Sequence, residues 1–586
     1  WHPTQDLTLD ATFNPDFAQV EADQVVLNLT TFETYYPEKR PFFLEGIDTF
    51  TTPMQLVYTR RIGRAAASPS LRTSAAFNEQ LVDVPSPATI YGASKLTGRL
   101  SPTWSIGTLQ AVTARNDVDV QLRDGSRVRR LVDPLSAFNV LRLKRELGDN
   151  AHVGLLATAT THAEPTGDYP PLPPSPGGPR AGTALCPSGN DYAPGSRCFN
   201  NAYVAGVDWR WRSPSGEYTT GGQVVGSMLD RGPARQVADG TVIKPGDAGV
   251  GGVAYFNKEG GKHVVWGTQA VAKNRELDFN DVGFNRRANA FGAGGGIEYR
   301  ELDPFWTMLE GHARVDVASN WNLDGLNLER GVYASSFGKL KNFWSYYTDL
   351  HFRTSRFDDR EVGDGAALER AGLFGYELYV GSDPTKRVSF GFDAITDALS
   401  NGVNITSNAR VTLRVLPQFD VELIPTAVYT NGEPRYAATG PVPGQYLFGK
   451  LEAKSVGATV RATYTFTPRL TLQTYAQLFL ASGHYDQLSS FQADLATPRP
   501  AIRLADLQPF AGAPSTNPDF QNGVLNVNVV VRWEYMLGST IFLVYTRAQV
   551  PSTTLAPGEA AALSVGAVNR APAQDVLLLK VSYWWG

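Results

Sequence analysis

The stretch SVGATVRATYTFTPRLTLQTYAQLFL, Ser455 to Leu480, alternates between two kinds of side chain on either side of a break at Thr467-Pro468-Arg469. Before the break Val456, Ala458, Val460, Ala462, Tyr464 and Phe466 form one set, and Gly457, Thr459, Arg461, Thr463 and Thr465 form the other. Successive side chains of a strand point to opposite faces, so this alternation marks a strand between a dry and a wet environment. The Pro-centred break makes the two arms an antiparallel hairpin. Each arm continues for roughly ten residues or more, beyond the usual length of soluble strands and long enough to cross a bilayer at a tilt.

The pattern recurs. Around Leu309 the outward set is Leu309, Gly311, Ala313, Val315 and Val317, against Glu310, His312, Arg314 and Asp316 inward. Further on, Leu525, Val527, Val529, Val531, Trp533 and Tyr535 alternate with Asn526, Asn528, Arg532 and Glu534. Short turns such as Leu147-Gly148-Asp149-Asn150, Leu302-Asp303-Pro304 and Leu537-Gly538-Ser539 take turns with longer, irregular connections such as Asp117–Ser136, Ala163–Asn200 and Gln487–Phe520. Outer-membrane barrels are wired in this way, with tight periplasmic turns and long outer loops. Backbone in lipid must be paired throughout, so a spanning sheet has to close. The expected fold is all-β, a transmembrane antiparallel barrel of about 24 strands, or about 22 if the N-terminal segment is a plug. Counted back from Val576–Trp585, the strands run to Ala88–Arg99, with further strands expected at Gln55–Ile62, Leu7–Phe13 and Gln24–Leu29. The division expected is an N-terminal segment, 1–53, and a barrel, 54–586.

Composition is compatible with this and excludes other classes. With 19% charged residues and a net charge of −4, the 586-residue chain is neither disordered nor built to grip nucleic acid. It contains no run of about eighteen apolar residues that would make a transmembrane helix. The seven His, at positions 2, 152, 162, 263, 312, 351 and 484, form no HExxH, and no nucleophile elbow stands out. Ser482-Gly483-His484-Tyr485-Asp486 reads as the start of a solvated loop, and SNWNLDGLNLE (Ser319–Glu329) lacks the final Glu of a calcium loop. No catalytic residue, metal or cofactor is expected. Cys186 and Cys198, the only cysteines, share one Pro- and Gly-rich connection and read as a disulfide, which implies an oxidising compartment.

The N-terminal part carries the candidate functional residues. Glu33, Glu38, Lys39, Arg40 and Glu45 stand among Tyr35, Tyr36, Phe42, Phe43 and Leu44, with Pro37 and Pro41 stiffening the backbone. Charges this dense cannot face lipid, so the segment is expected inside the lumen or at the periplasmic rim, pairing with wall residues such as Arg60 and Arg61. With Glu310, His312, Arg314 and Asp316 on the barrel wall, these are the residues expected to lock the barrel or to select solute.

The segments NPDFAQVEAD (Asn14–Asp23), TFETYYPEKRPFFLEG (Thr31–Gly46) and YTRRIGR (Tyr58–Arg64) resemble the signature of a bacterial family of unassigned function. In that family a family-nine-like carbohydrate-binding module precedes an outer-membrane domain. Where it favours Phe-Phe, this chain has Tyr35-Tyr36, and the chain begins at Trp1 with neither the module nor a secretory signal, as expected of a piece of a longer precursor. The resemblance implies an outer-membrane domain and a leaning toward saccharides, and the wiring of short and long connections sets the long loops outside and the C-terminus in the periplasm. Two functions are expected in turn. One is a porin-like channel for polar solutes, its wall in contact with lipid. The alternative is a plugged scaffold or export conduit that works with periplasmic or surface proteins.

Overall fold

The structure, a computed structural model, describes residues 3–15, 23–165, 167, 169–172, 183–193, 196–514, 516–551, 555–556 and 558–583. The aromatic finish at Trp584 and Trp585 lies outside the described residues, as does much of Asn14–Asp23. One antiparallel sheet of 24 strands dominates the chain. Two of them, Pro434–Thr439 and Gln508–Pro509, are short additions to the flanks of neighbouring strands. The other 22 pair one after another in chain order, from Leu7–Phe13 and Ile90–Ser101 to Ser539–Gln549 and Ala573–Ser582.

The hairpin read from Ser455–Leu480 is the longest pair, Gln445–Thr467 with Leu470–Gln492, 23 residues each. Its register sets Thr459 against Gln477 and Val460 against Ala476, which keeps the two side-chain sets on separate faces. The outer face exposes large apolar residues strand after strand: Val207, Val224, Ile297, Val315, Val317, Val332, Phe352, Phe374, Leu423, Val460, Leu543 and Leu579. The inner face is mixed, and it is there that the N-terminal segment lies.

Contacts across that inner face require the sheet to curl. Ile90–Ser101 is second and Leu470–Gln492 nineteenth in the strand order. In a flat sheet they would stand roughly 80 Å apart at about 4.8 Å per strand. Yet Gln477 of the nineteenth strand holds the backbone N–H and C=O of Val25, at 3.0 and 2.9 Å. Two residues back, Asp23 pairs with Arg60, and both line the same cavity as Ile90 of the second strand. The loops agree. Arg499, in the connection after Leu470–Gln492, bonds Asp239 in the connection after Tyr218–Asp230 at 3.2 Å, and its Nε lies 3.3 Å from Asp324.

Three sequence expectations are corrected. Gln24–Leu29 and Gln55–Ile62 are not strands; the second contains a 3₁₀ turn at Thr59–Arg61 and packs on the inner face. Leu7–Phe13, by contrast, does join the sheet, paired with Gly92–Gly98. The connection Asp117–Ser136 is not irregular but folds into a hairpin, Asn116–Gln121 with Arg127–Asp133, joined by Gln80–Leu81.

Candidate functional site

The segment from Asp23 to Arg64 has little regular structure: a helical turn at Pro41–Leu44 and two 3₁₀ turns, linked at Gly46, whose φ of +64° suits glycine. Apolar contact fixes its second half. Phe43, Phe50, Met54, Leu56, Val57 and Ile62 share one core with Leu109, Phe138, Val140, Leu156, Val204 and Val225 of the inner face, and with Leu277, Phe279 and Val282 of a long loop. Burying a single such side chain stabilises by about 1.5–3 kcal/mol, so this half is held firmly. The wall makes room with glycine: a Cβ on Gly107 would stand 2.6 Å from Thr49, and one on Gly206 would stand 2.9 Å from Leu56.

The charges of the segment are satisfied mostly within it. Arg40 and Glu38 pair at 2.7 Å, Thr59 donates to Glu38 at 2.6 Å, and Arg40 also donates to the carbonyls of Ile62 and Thr59. Arg61 forms a two-pronged pair with Glu33, 2.7 Å on each arm, and Lys39 lies 3.4 Å from Asp23, which also holds Arg60. Arg60 and Arg61 therefore belong to the segment and not, as expected, to the wall. Glu45 is exposed, and it is its backbone carbonyl that accepts from Lys95.

Lys95 is the wall residue that sequence reasoning passed over. Its ammonium is buried, 2% exposed, and donates to the carbonyls of Phe42 (2.8 Å) and Glu45, with Asp10 3.6 Å away. Two of the three ammonium donors are thus used by backbone carbonyls, and Asp10 balances the charge. Gln223, which accepts from Met54 N–H at 2.6 Å, and Gln477 do the same by neutral hydrogen bonds. A Lys in the middle of the strand stretch YGASKLTGRL (Tyr91–Leu100), flanked by Ala93, Ser94 and Leu96, was the available signal.

Glu38 offers a test by pH. Burial pushes its carboxyl upward, but the hydrogen bond and charge of Arg40 and the Thr59 hydroxyl outweigh it and hold it below the usual range. A depressed carboxyl stabilises the folded arrangement above its unfolded value of about 4.3 and loses that contribution as pH falls through the lower folded value. Amide exchange across Glu38–Ile62, corrected for intrinsic rates, should stay flat from neutral pH to about 5 and rise only in stronger acid. Glu38→Gln should abolish that acid step; a step unchanged in the variant would exclude Glu38 as its source.

The other predicted residues lie elsewhere on the inner face. His312, Arg314 and Asp316, on the strand Met308–Trp321, line a cavity of about 640 Å³ with Glu298, Tyr333, Asp349, His351 and Glu377. Arg314 is paired with Asp316 at 2.6 Å and lies 3.8 Å from Glu298. Glu310 sits beside a bulge and lines neither this cavity nor the one, of about 850 Å³, between the segment and Ile90. His351 bridges Asp349 (2.7 Å) and Asp397 (2.9 Å) across the intervening strand, passing Gly375, where a Cβ would meet its Nε2 at 1.9 Å. Glu377 faces Asp349 in register, and neither Glu377 nor Asp393 has a Lys, Arg or His within 4.0 Å among the described residues. This part of the inner face, from Ala290 to Leu416, is the open arc.

The cysteines do form a disulfide, with Cα atoms 5.4 Å apart, buried against Leu131 and Tyr169. Glu164 accepts from the N–H of Cys198 at 2.6 Å. Asn322, in the stretch that resembles a calcium loop, caps its own turn by accepting from Asp324 and Leu326. No group of acidic, His or Cys residues suited to a metal occurs among the described residues.

No curated protein matches the chain. A family described as a domain of unknown function, DUF5916, matches residues 3–168 and 195–585. With nearly its whole length covered on both sides of the disulfide-bearing loop, the chain belongs to the DUF5916 family.

Proposed function

We propose that the sheet closes into a barrel in the outer membrane and conducts polar solutes, saccharides among them, along the open arc and past the N-terminal segment. The observation that carries this is the outer face. Soluble monomers rarely expose contiguous apolar patches beyond a few hundred Å². Here Val224, Ile297, Val317, Phe374, Val460 and Leu579 repeat the exposure across the sheet, and lipid tails are the environment that such a face fits. Closure follows from the same premise, since lipid leaves no edge solvated. The long connections are then extracellular and the C-terminus periplasmic, as in barrels of this wiring. The coverage of the inner face divides it into a dry half, filled by the segment, and the open arc, where Arg314, Asp316 and Glu377 remain half-exposed beside the buried Asp349 and His351.

Purified protein in planar bilayers should give steady conductance at low voltage. Uncompensated carboxylates attract cations, so a salt gradient should give a reversal potential of cation-preferring sign. Replacing Glu377 by Gln together with Asp393 by Asn should move that potential toward zero. Inserted protein that does not conduct would refute the channel. The second reading, a plugged scaffold or conduit working with protein partners, is favoured by the apolar core that anchors the segment. It predicts that same silent insertion.

A further inference from the structure

The segment leaves its apolar anchor at the end nearest the long loops, and there it touches three of them within four residues. Leu29 accepts from Arg435 at 2.8 Å, in the short strand Pro434–Thr439 within the connection 432–444. Thr31 donates to the Asp358 carboxylate at 3.2 Å, at the start of the connection after Ser345–Arg353. Phe32 meets two guanidiniums, with Arg360 at 4.6 Å and Arg286 at 5.0 Å from its ring centre. Arg286 belongs to the third connection, 274–289.

These loops are also tied to one another. Arg287 pairs with Asp359 at 2.6 Å, Arg435 with Glu361 at 2.7 Å, and Arg360 donates to the carbonyl of Arg286. With Arg499 reaching Asp239 from the far side, they form a roof at the long-loop end of the inner face.

We propose that Leu29–Phe32 is a latch that holds this roof to the anchored segment, and that freeing Phe32 lets the roof open over the open arc. The proposal rests on the channel reading for its consequence, though not for its geometry. Two kinds of contact meet at the latch. Phe43, Phe50 and Leu56 are buried in a dry core that does not release without unfolding. Phe32 and Thr31 are only half-buried, and their contacts are two cation–π contacts and a hydroxyl to a carboxylate, each individually weak. The roof end therefore gives way first while the anchor stays. The Phe32 ring also holds the guanidiniums of both Arg286 and Arg360 within 5.0 Å of its centre. Once it is gone, both cations lose that attraction, which favours the opening.

The test is hydrogen exchange and single-channel recording on the full chain in lipid, comparing wild type, Phe32→Ala and Phe32→Tyr. Phe32→Ala should speed exchange of the loops 274–289 and 354–372 by roughly tenfold, leave Phe43–Leu56 protected, and raise conductance about twofold. Phe32→Tyr keeps the ring and should match wild type in all three. Unchanged loop exchange in Phe32→Ala, or equal acceleration in Phe32→Tyr, overturns the latch. If Phe32→Ala also loses protection in the strands, Thr31→Val takes its place with the same expectations. A wild type that does not conduct refutes the channel, while loop exchange still decides the latch.

Discussion

Replacing Asp208 by Ala should cost about 3–5 kcal/mol of stability, the largest effect expected of any single polar substitution on the inner face. Asp208 and Arg142 are paired with their side chains 3% and 4% exposed, and they stand on strands separated by a third. Arg142 reaches across that strand beside Gly154, where a Cβ would lie 2.5 Å from the guanidinium. Removing the carboxylate leaves a buried guanidinium beneath the segment, with His152 as its neighbour around Asp208. The cost is the unpaired charge and not the worth of the pair, because burying both ions is itself unfavourable. Replacing both, Arg142→Met with Asp208→Leu, should therefore recover most of the loss. Equilibrium unfolding in lipid vesicles measures all three proteins. A double variant as unstable as the single would mean that the pair holds the wall by its own attraction.

The same geometry explains how much of the fold was legible in the sequence. Gln445–Thr467 and Leu470–Gln492 could be read because their two faces meet different environments, and the turn at Pro468 marks the register. Met308–Trp321 was legible for the same reason, down to the inward placing of His312, Arg314 and Asp316. In Leu135–Glu146 the signal fades. Phe138 and Val140 pack under the segment while Leu141 faces outward, so both faces are apolar and period two is lost. Gln55–Ile62 misled in the opposite sense. Its Leu56, Val57 and Ile62 look like part of a strand, but a 3₁₀ turn brings all three into one core. Charges on such a segment have no register to assign them, so Glu33 with Arg61 and Asp23 with Arg60 could not be paired in advance. Lys95 was hidden for a further reason: its partners are backbone carbonyls, which leave no mark in a sequence.

Arg in place of Val317 should destabilise the protein by about 2–4 kcal/mol in a bilayer. Val317 is 55% exposed on the outer face, in register with Val332, itself 46% exposed, near the middle of its strand. In water a large polar residue at so open a position is close to neutral, within about 0.5 kcal/mol, because nothing is desolvated. In hydrocarbon the guanidinium must stretch toward the headgroups or draw water inward, and the cost depends on depth. The comparison is with Thr406→Arg and Asn408→Arg. Both positions are exposed on the inner face of Gly402–Leu416, facing the open arc and not the outside. They should cost well under 1 kcal/mol if that arc is wet. Moving the outer substitution along one face tests depth as well: Val388→Arg, at the end of its strand, should cost less than Val317→Arg. Equal small costs at Val317 and Thr406 would mean that water bathes both faces, and the barrel in lipid would have to be given up. A cost that peaks at mid-strand on the outer face alone is the signature of hydrocarbon, since no aqueous surface distinguishes the middle of a strand from its end.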